Sequence, residues 1–237
     1  MNSNGLTSDG VLLRKYRVRI TLFLVGVFVC LLLLNAVYGG INTIARLNVI
    51  EGERDQWQRL SDVVAELKLK DGDIVADVGS GAGYFALKLS HAVGPSGKVL
   101  AVDIRREPLI FLWIRTVLNG RHNVRELIGD PDDPHLPVGT INAVLIANTY
   151  HELANPESML EHIFGSLRCG GRLVMLDRSS VLQDSTEEQN HRHEIPPERV
   201  EDQLRQTGFK ILNRQDQFID RPNRERWWLI AAQKAPQ

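Results

Sequence analysis

The run VADVGSGAGYFALKLS, Val75 to Ser90, constrains the fold more than any other part of the chain. Small and apolar residues lead into Asp77, then Gly79, Gly81 and Gly83 alternate with Val78, Ser80 and Ala82, and an amphipathic segment follows. That order reads strand, tight loop, helix. The same alternation continues through DIVADV, a helix from Tyr84 to Val93, KVLAVD, a helix from Pro108 to Leu118, NVRELIG, INAVLIAN, a helix from Glu157 to Arg168, and RLVMLD. Strands separated by helices predict an α/β fold with a parallel sheet covered on both faces, because each parallel neighbour needs a crossover. Beyond Asp177 a polar stretch to His193 reads as a loop, PPERVEDQLRQTG as a helix, and KILNRQDQFI and ERWWLIAAQK as closing strands able to pair as a hairpin. Upstream, Trp57, Leu60, Val63, Val64 and Leu67 recur at helical spacing within Gln56 to Leu69, so residues 56–237 form the main domain behind a lead-in helix.

The segment Ile20 to Tyr38 carries no charge. As a helix, at about 1.5 Å per residue, it approaches the roughly 30 Å hydrocarbon thickness of a bilayer. Leu, Val, Ile and Phe cover all its faces rather than one stripe, which predicts a single-pass membrane helix at 20–40, after a basic tail at 1–19 and before a linker at 41–55. A cleaved secretory signal, and hence secretion, is the competing reading: Arg14, Lys15, Arg17 and Arg19 form a suitable basic flank, but the apolar run exceeds the usual signal length and NAVYGG is a poor cleavage site. The basic flank favours an N-terminus in the cytoplasm and a main domain across the membrane, whereas a cytosolic cofactor favours the opposite side.

Charge and cysteine usage exclude several partners. The net charge of −1 comes from 28 basic and 29 acidic residues spread along the chain, so no field favours nucleic acid. Cys30 lies in the apolar run and Cys169 beside two glycines, which supports neither a disulfide framework nor a zinc site. His191 and His193, with Glu194 adjacent, point the same way in an extended segment and lack a third placed ligand, so no metal is expected.

In an open parallel sheet, ligands bind beyond the carboxyl ends of the strands. Glycines at 79, 81 and 83 permit a close backbone approach there, and the helix starting near Gly83 offers unpaired N–H groups. The dinucleotide fingerprint places a glycine at the sixth position, where this chain has Tyr84. Asp77 would also repel a pyrophosphate and instead suits a ligand with a cationic amino group. Asp103 ends the next strand about 20 residues beyond the last glycine, where a carboxylate can accept bonds from both ribose hydroxyls. Asp130, ending LIGD, is placed to reach a base amino group or to form an Asp-Pro turn.

Together VADVGSGAGYF, VLAVD, GDPDDPHLP, INAVLIANTYHEL and LRCGGRLVMLD resemble, in order, the motifs of the class I S-adenosylmethionine-dependent methyltransferases, in particular the small-molecule branch that includes quinone-biosynthesis enzymes. The resemblance implies a Rossmann-like seven-stranded, mostly parallel sheet of order 3-2-1-4-5-7-6, with strand seven antiparallel. It implies S-adenosylmethionine as cofactor, held by Asp77, Gly79, Ser80, Gly81, Gly83, Asp103, Ile104, Asp130 and Asn148, and a small-molecule acceptor, with lipophilic molecules among the candidates. Tyr150, His151 and Glu152 are expected to face the acceptor, with His193 above it in a lid-like connection and Arg54 closing the far side; Trp57 could join Arg54 there, but core packing is the favoured reading for it. Catalysis then falls to His151, Tyr150 and His193, histidine being the side chain whose charge changes near neutral pH; the bland alternative for His151 is a helix cap. A non-catalytic scaffold at the membrane and a nicotinamide-dependent oxidoreductase are the competing functions.

Overall fold

The computed structural model describes residues 8–180, 192–221 and 225–235, and the chain divides into two units, residues 1–50 and 51–237. In the first unit, helix α1 (Ser8–Trp57) begins within the expected basic tail and carries the apolar stretch, none of which is buried. By length and composition this helix can cross a membrane, a test that a signal sequence also passes. The segment 41–55, expected as a linker, is helical instead. It contains no proline, and its residues other than Gly52 tolerate the helix interior. The lead-in helix starts later than the spacing suggests: α2 spans Leu60–Leu67, and Arg59, at φ 51°, makes the break. Arg59 is held by Asp62 and by the carbonyl of Phe218 at 2.7 Å.

In the second unit, β1 (Ile74–Val78), β2 (Lys98–Asp103), β3 (Val124–Ile128), β4 (Ile141–Ala147), β5 (Leu167–Arg178), β6 (Phe209–Asp220) and β7 (Arg226–Lys234) form one sheet of order 3-2-1-4-5-7-6. β1 to β5 pair in parallel, while β7 runs antiparallel to both β5 and β6 and closes the sheet as the expected hairpin. The intervening helices are α3 (Tyr84–Ala92), α4 (Arg106–Leu118), α5 (Pro156–Ser166) and α6 (Pro197–Thr207).

Strand side chains alternate between two cores, as a period of two demands. Ala143, Leu145 and Ala147 of β4 join Val63 of α2, Phe85 and Leu89 of α3, and Leu109 and Leu112 of α4. Val144 and Ile146 meet Leu160 and Ile163 of α5 and Val200 and Leu204 of α6 on the other face. Burial on both faces explains why the strands read as continuous apolar runs. Asn155 caps α5 through Ser158 N–H, with Pro156 at the first helical position.

Within the second unit, residues 51–57 are joined to this sandwich by charges. Arg115, buried on α4, bonds Glu51 through both guanidinium nitrogens at 2.8 and 2.5 Å and donates to the carbonyl of Ala82. Asp55 accepts from the Tyr84 hydroxyl at 2.7 Å and from Lys88 at 2.6 Å. Removing one partner of a buried pair strands the other charge. Glu51→Ala should therefore cost about 3–5 kcal/mol, seen as a fall in Tm of the detergent-solubilised chain by roughly 10 °C, with Glu51→Leu plus Arg115→Met recovering most of it.

Candidate functional site

β1, β2 and β4 end side by side, and the loop after β1 is folded onto the end of β2. The backbone N–H groups of Gly79 and Ser80 both donate to the carbonyl of Val102, and Gly83 N–H donates to Ser80. Asp103 completes the fold of the loop: one carboxylate oxygen accepts from Gly81 N–H at 3.0 Å and the other from Arg105 N–H at 2.9 Å. Two glycines do different work. A Cβ on Gly79 would collide with Thr149, whereas one on Gly81, at φ +53°, would meet nothing within 4 Å. The loop is thus pressed against the end of β4 at Gly79 and faces open space at Gly81.

Asp77 is 2% exposed, and among the described residues its Oδ2 has no hydrogen-bond partner; the hydroxyl of Ser80, also buried, has none there either. Burial pushes the Asp77 carboxyl up to about 7, a bond from the Ala86 amide and the charge of Arg54 oppose the shift, and Asp103 adds to it. Arg54 lies 3.9 Å over the Tyr84 ring, donates to Gln58 at 2.8 Å, and is itself pushed down by burial. A buried acceptor without a donor, beside an open glycine and a second acid, fits a ligand that brings an ammonium group and neighbouring hydroxyls. The donor set therefore matches an aminoacyl nucleoside such as S-adenosylmethionine.

On the other side of this edge, Asn148 sits at φ 55°; its N–H donates to Leu176 and its side-chain oxygen accepts from Arg178 at 3.2 Å. His151 follows in a 3-10 turn, Tyr150–Glu152. Asp177, at the end of β5 and 1% exposed, grips this residue twice: Oδ1 accepts from Nδ1 at 2.8 Å and Oδ2 from the backbone N–H at 3.2 Å. With the proton on Nδ1, Nε2 keeps its lone pair, and among the described residues that buried atom has no hydrogen-bond partner. The His193 ring stands edge-on at 5.3 Å, and ligand atoms of His151, Glu152 and His193 lie within 4.8 Å of one another. Asn155, not His151, caps the following helix.

Several expectations change. Tyr150 does not face the acceptor side: it is 2% exposed in the core with Leu160 and Val200, and its hydroxyl donates to Gln203 on α6 at 2.9 Å. The tight turn reverses the direction expected from NTYHEL, and burial and Glu157 push its phenol well above the usual range. Asp130 is exposed and bonded to His135 at 2.9 Å, beside Gly129, whose N–H donates to the Asp103 carbonyl. Ile104 is 58% exposed. Trp57, by contrast, packs on Trp227 at 5.8 Å and beneath Arg221, in keeping with the core role favoured for it. His191 lies outside the described residues, and Glu194 pairs with Arg192 at 3.0 Å. Asp177 was not singled out, although a strand-end acid after RLVML is the same signal that marked Asp77 and Asp103.

A family model described as a methyltransferase domain matches residues 69–223, more than half of the chain. The chain belongs to this methyltransferase-domain family. It is 28% identical over 130 residues to a demethylmenaquinone methyltransferase of Symbiobacterium thermophilum, covering 54% of this chain and 51% of that protein. It is 30% identical over 123 residues to a ubiquinone/menaquinone biosynthesis C-methyltransferase of Pasteurella multocida, covering 49% and 44%. The chain spans about half the length of these curated relatives. A SAM-dependent methyltransferase from Aquifex aeolicus superposes with a TM-score of 0.67 at 23% identity, over 81% of this chain and 98% of that one, and shares its fold.

The methyltransferase domain should show proton-linked ligand binding. Below pH 7 the free Asp77 carboxyl is increasingly protonated. An ammonium group against Oδ2 lowers that value, so binding expels a proton. Affinity for an ammonium-bearing nucleoside should therefore rise with pH by up to about tenfold per unit between about 5 and 7, then level off. Titration calorimetry in buffers of different ionisation enthalpy counts the proton, and Asp77→Asn should abolish the slope.

Proposed function

We propose that this chain is a membrane-anchored enzyme that transfers a methyl group from S-adenosylmethionine to a small, lipophilic, quinone-like acceptor. The observation that carries the reading is the unpartnered buried oxygen of Asp77 beside Asp103 and the open face of Gly81. When bound, the cofactor supplies a methyl group already activated by its sulfonium. Asp77 binds the amino group, and Asp103, whose loop contacts are already made, accepts from the ribose hydroxyls. The chief task left to the protein is alignment of nucleophile, methyl carbon and sulfur, an effect worth several kcal/mol.

On the acceptor side His151 takes the proton of the nucleophile at Nε2. Asp177 holds the ring in the tautomer that leaves this atom free and stabilises the imidazolium that forms, which makes it a positioning residue. Glu152 Oε1, 3.6 Å from Nε2, and His193 border the same space. The lipophilic acceptor is supported by the apolar stretch of α1, which would keep the domain at a bilayer, and by the quinone-named relatives.

The test incubates the detergent-solubilised chain with isotope-labelled methyl donor and lipid extracts. A labelled lipid-soluble product is expected. Binding without transfer to any extract would identify a scaffold, and nicotinamide fluorescence on titration would identify an oxidoreductase. Asp103→Ala should weaken donor binding by about 2 kcal/mol or more. His151→Ala should leave donor binding intact while lowering turnover about 10²–10⁴-fold, and Asp177→Asn should lower turnover with donor binding unchanged. Turnover should survive chelators; loss restored by a divalent cation would reassign His151, Glu152 and His193 as its ligands.

A further inference from the structure

We propose that the exposed face of α4 lies in the lipid headgroup region of the membrane that holds the chain, so that the donor site opens beside the bilayer surface. The inference rests on the membrane anchor proposed above and adds a docking surface to it.

Among the described residues after residue 50, the exposed large apolar side chains are Ile104, Ile110, Trp113, Val117, Leu118, Ile128, Val138 and Leu212; the first five fall in one stretch of 15 residues. Ile110, Trp113 and Val117 recur at i, i+3 and i+7, which places them on one face of α4. The helix is thus apolar on its outer face as well as on the face that packs in the core. Its inner face buries Leu109, Leu112 and Thr116 and also Arg115, satisfied by Glu51 and the Ala82 carbonyl, while its outer face presents a tryptophan 57% exposed. A patch of this kind on a soluble domain marks an interaction surface.

Charge and tether argue for lipid as the occupant. Arg105 and Arg106 precede the apolar face and Arg121 follows it, while Glu107 is the sole acid from Ile104 to His122. Basic residues flanking Trp, Ile and Val are the pattern of a helix lying in an interface, with its rings and aliphatic groups among the acyl chains and its arginines at anionic headgroups. Glu51 follows Tyr38 by 13 residues. At no more than about 3.6 Å per residue, the chain between the apolar stretch and the domain reaches at most about 47 Å. The domain is therefore confined to the neighbourhood of the bilayer in whatever arrangement the two units adopt. Ile104 directly follows Asp103, so the face borders the acid assigned to the ribose.

The four tryptophans make the test direct: none lies in residues 1–50, and Trp227 and Trp228 are buried. The full chain is reconstituted into phosphatidylcholine vesicles containing phosphatidylglycerol and acyl-chain-brominated lipid, and tryptophan emission is compared with that of Trp113→Phe. The expected result is quenching by brominated lipid that Trp113→Phe loses, weakened when Arg105 and Arg106 are replaced by glutamine. If an alkaline carbonate wash strips the chain from the vesicles, the anchor fails and the docking with it. If the chain is retained but both proteins are quenched equally or not at all, the docking alone is wrong. Efficient Val117→Cys self-crosslinking with Trp113 unquenched would give the face to a second copy of the chain and overturn the proposal in the same way.

Discussion

A carboxylate buried at the end of β1 without a donor for one of its oxygens is the constraint around which the rest is arranged. Isolated burial of a charge is costly, and the domain answers only in part: an amide from the first turn of α3, and Arg54 held at a distance over Tyr84. The remainder of the cost is held in a carboxyl shifted to about 7. Asp103, two backbone carbonyl contacts to Val102 and the close approach of Gly79 to Thr149 fix the loop so that this oxygen stays aimed along the strand ends. In the proposed function an ammonium-bearing ligand offsets this cost, which converts stored desolvation into binding.

The same device recurs across the edge with a different outcome. Asp177 ends β5 much as Asp77 ends β1, but its oxygens are satisfied by His151 and Arg178. The deficit moves one step outward, to Nε2 of the imidazole. In the proposed function one strand-end acid meets the donor directly, and the other acts on the acceptor through His151. Both depend on parallel strands ending together, which the crossovers of an α/β sheet guarantee.

Much of this was legible in the chain. Alternating apolar runs and helical patterns located all seven strands, and the glycine loop with Asp77 and Asp103 marked the donor edge. Strand order was not readable from periodicity, which reports which face a residue occupies and not its neighbour, and came through the likeness of five motifs to a known family. Tyr150 was misplaced because a 3-10 turn has a period that neither the strand before it nor the helix after it shares. Asp177 was overlooked because its importance lies in a contact 26 residues distant in sequence. The segment at 41–55 reads as a linker because it lies between the apolar stretch and the main domain, yet its charges are partners: Glu51 for Arg115 and Asp55 for Lys88 and Tyr84.

The most direct measurement of the central claim is a carbon-13 NMR titration of the Asp77 carboxyl, with and without the demethylated product of the methyl donor, which retains the amino group and the ribose. The account predicts a midpoint near 7 in the free protein that moves well below neutrality in the complex. A free carboxyl that titrates in the ordinary aspartate range, or one that does not respond to the nucleoside, would contradict it.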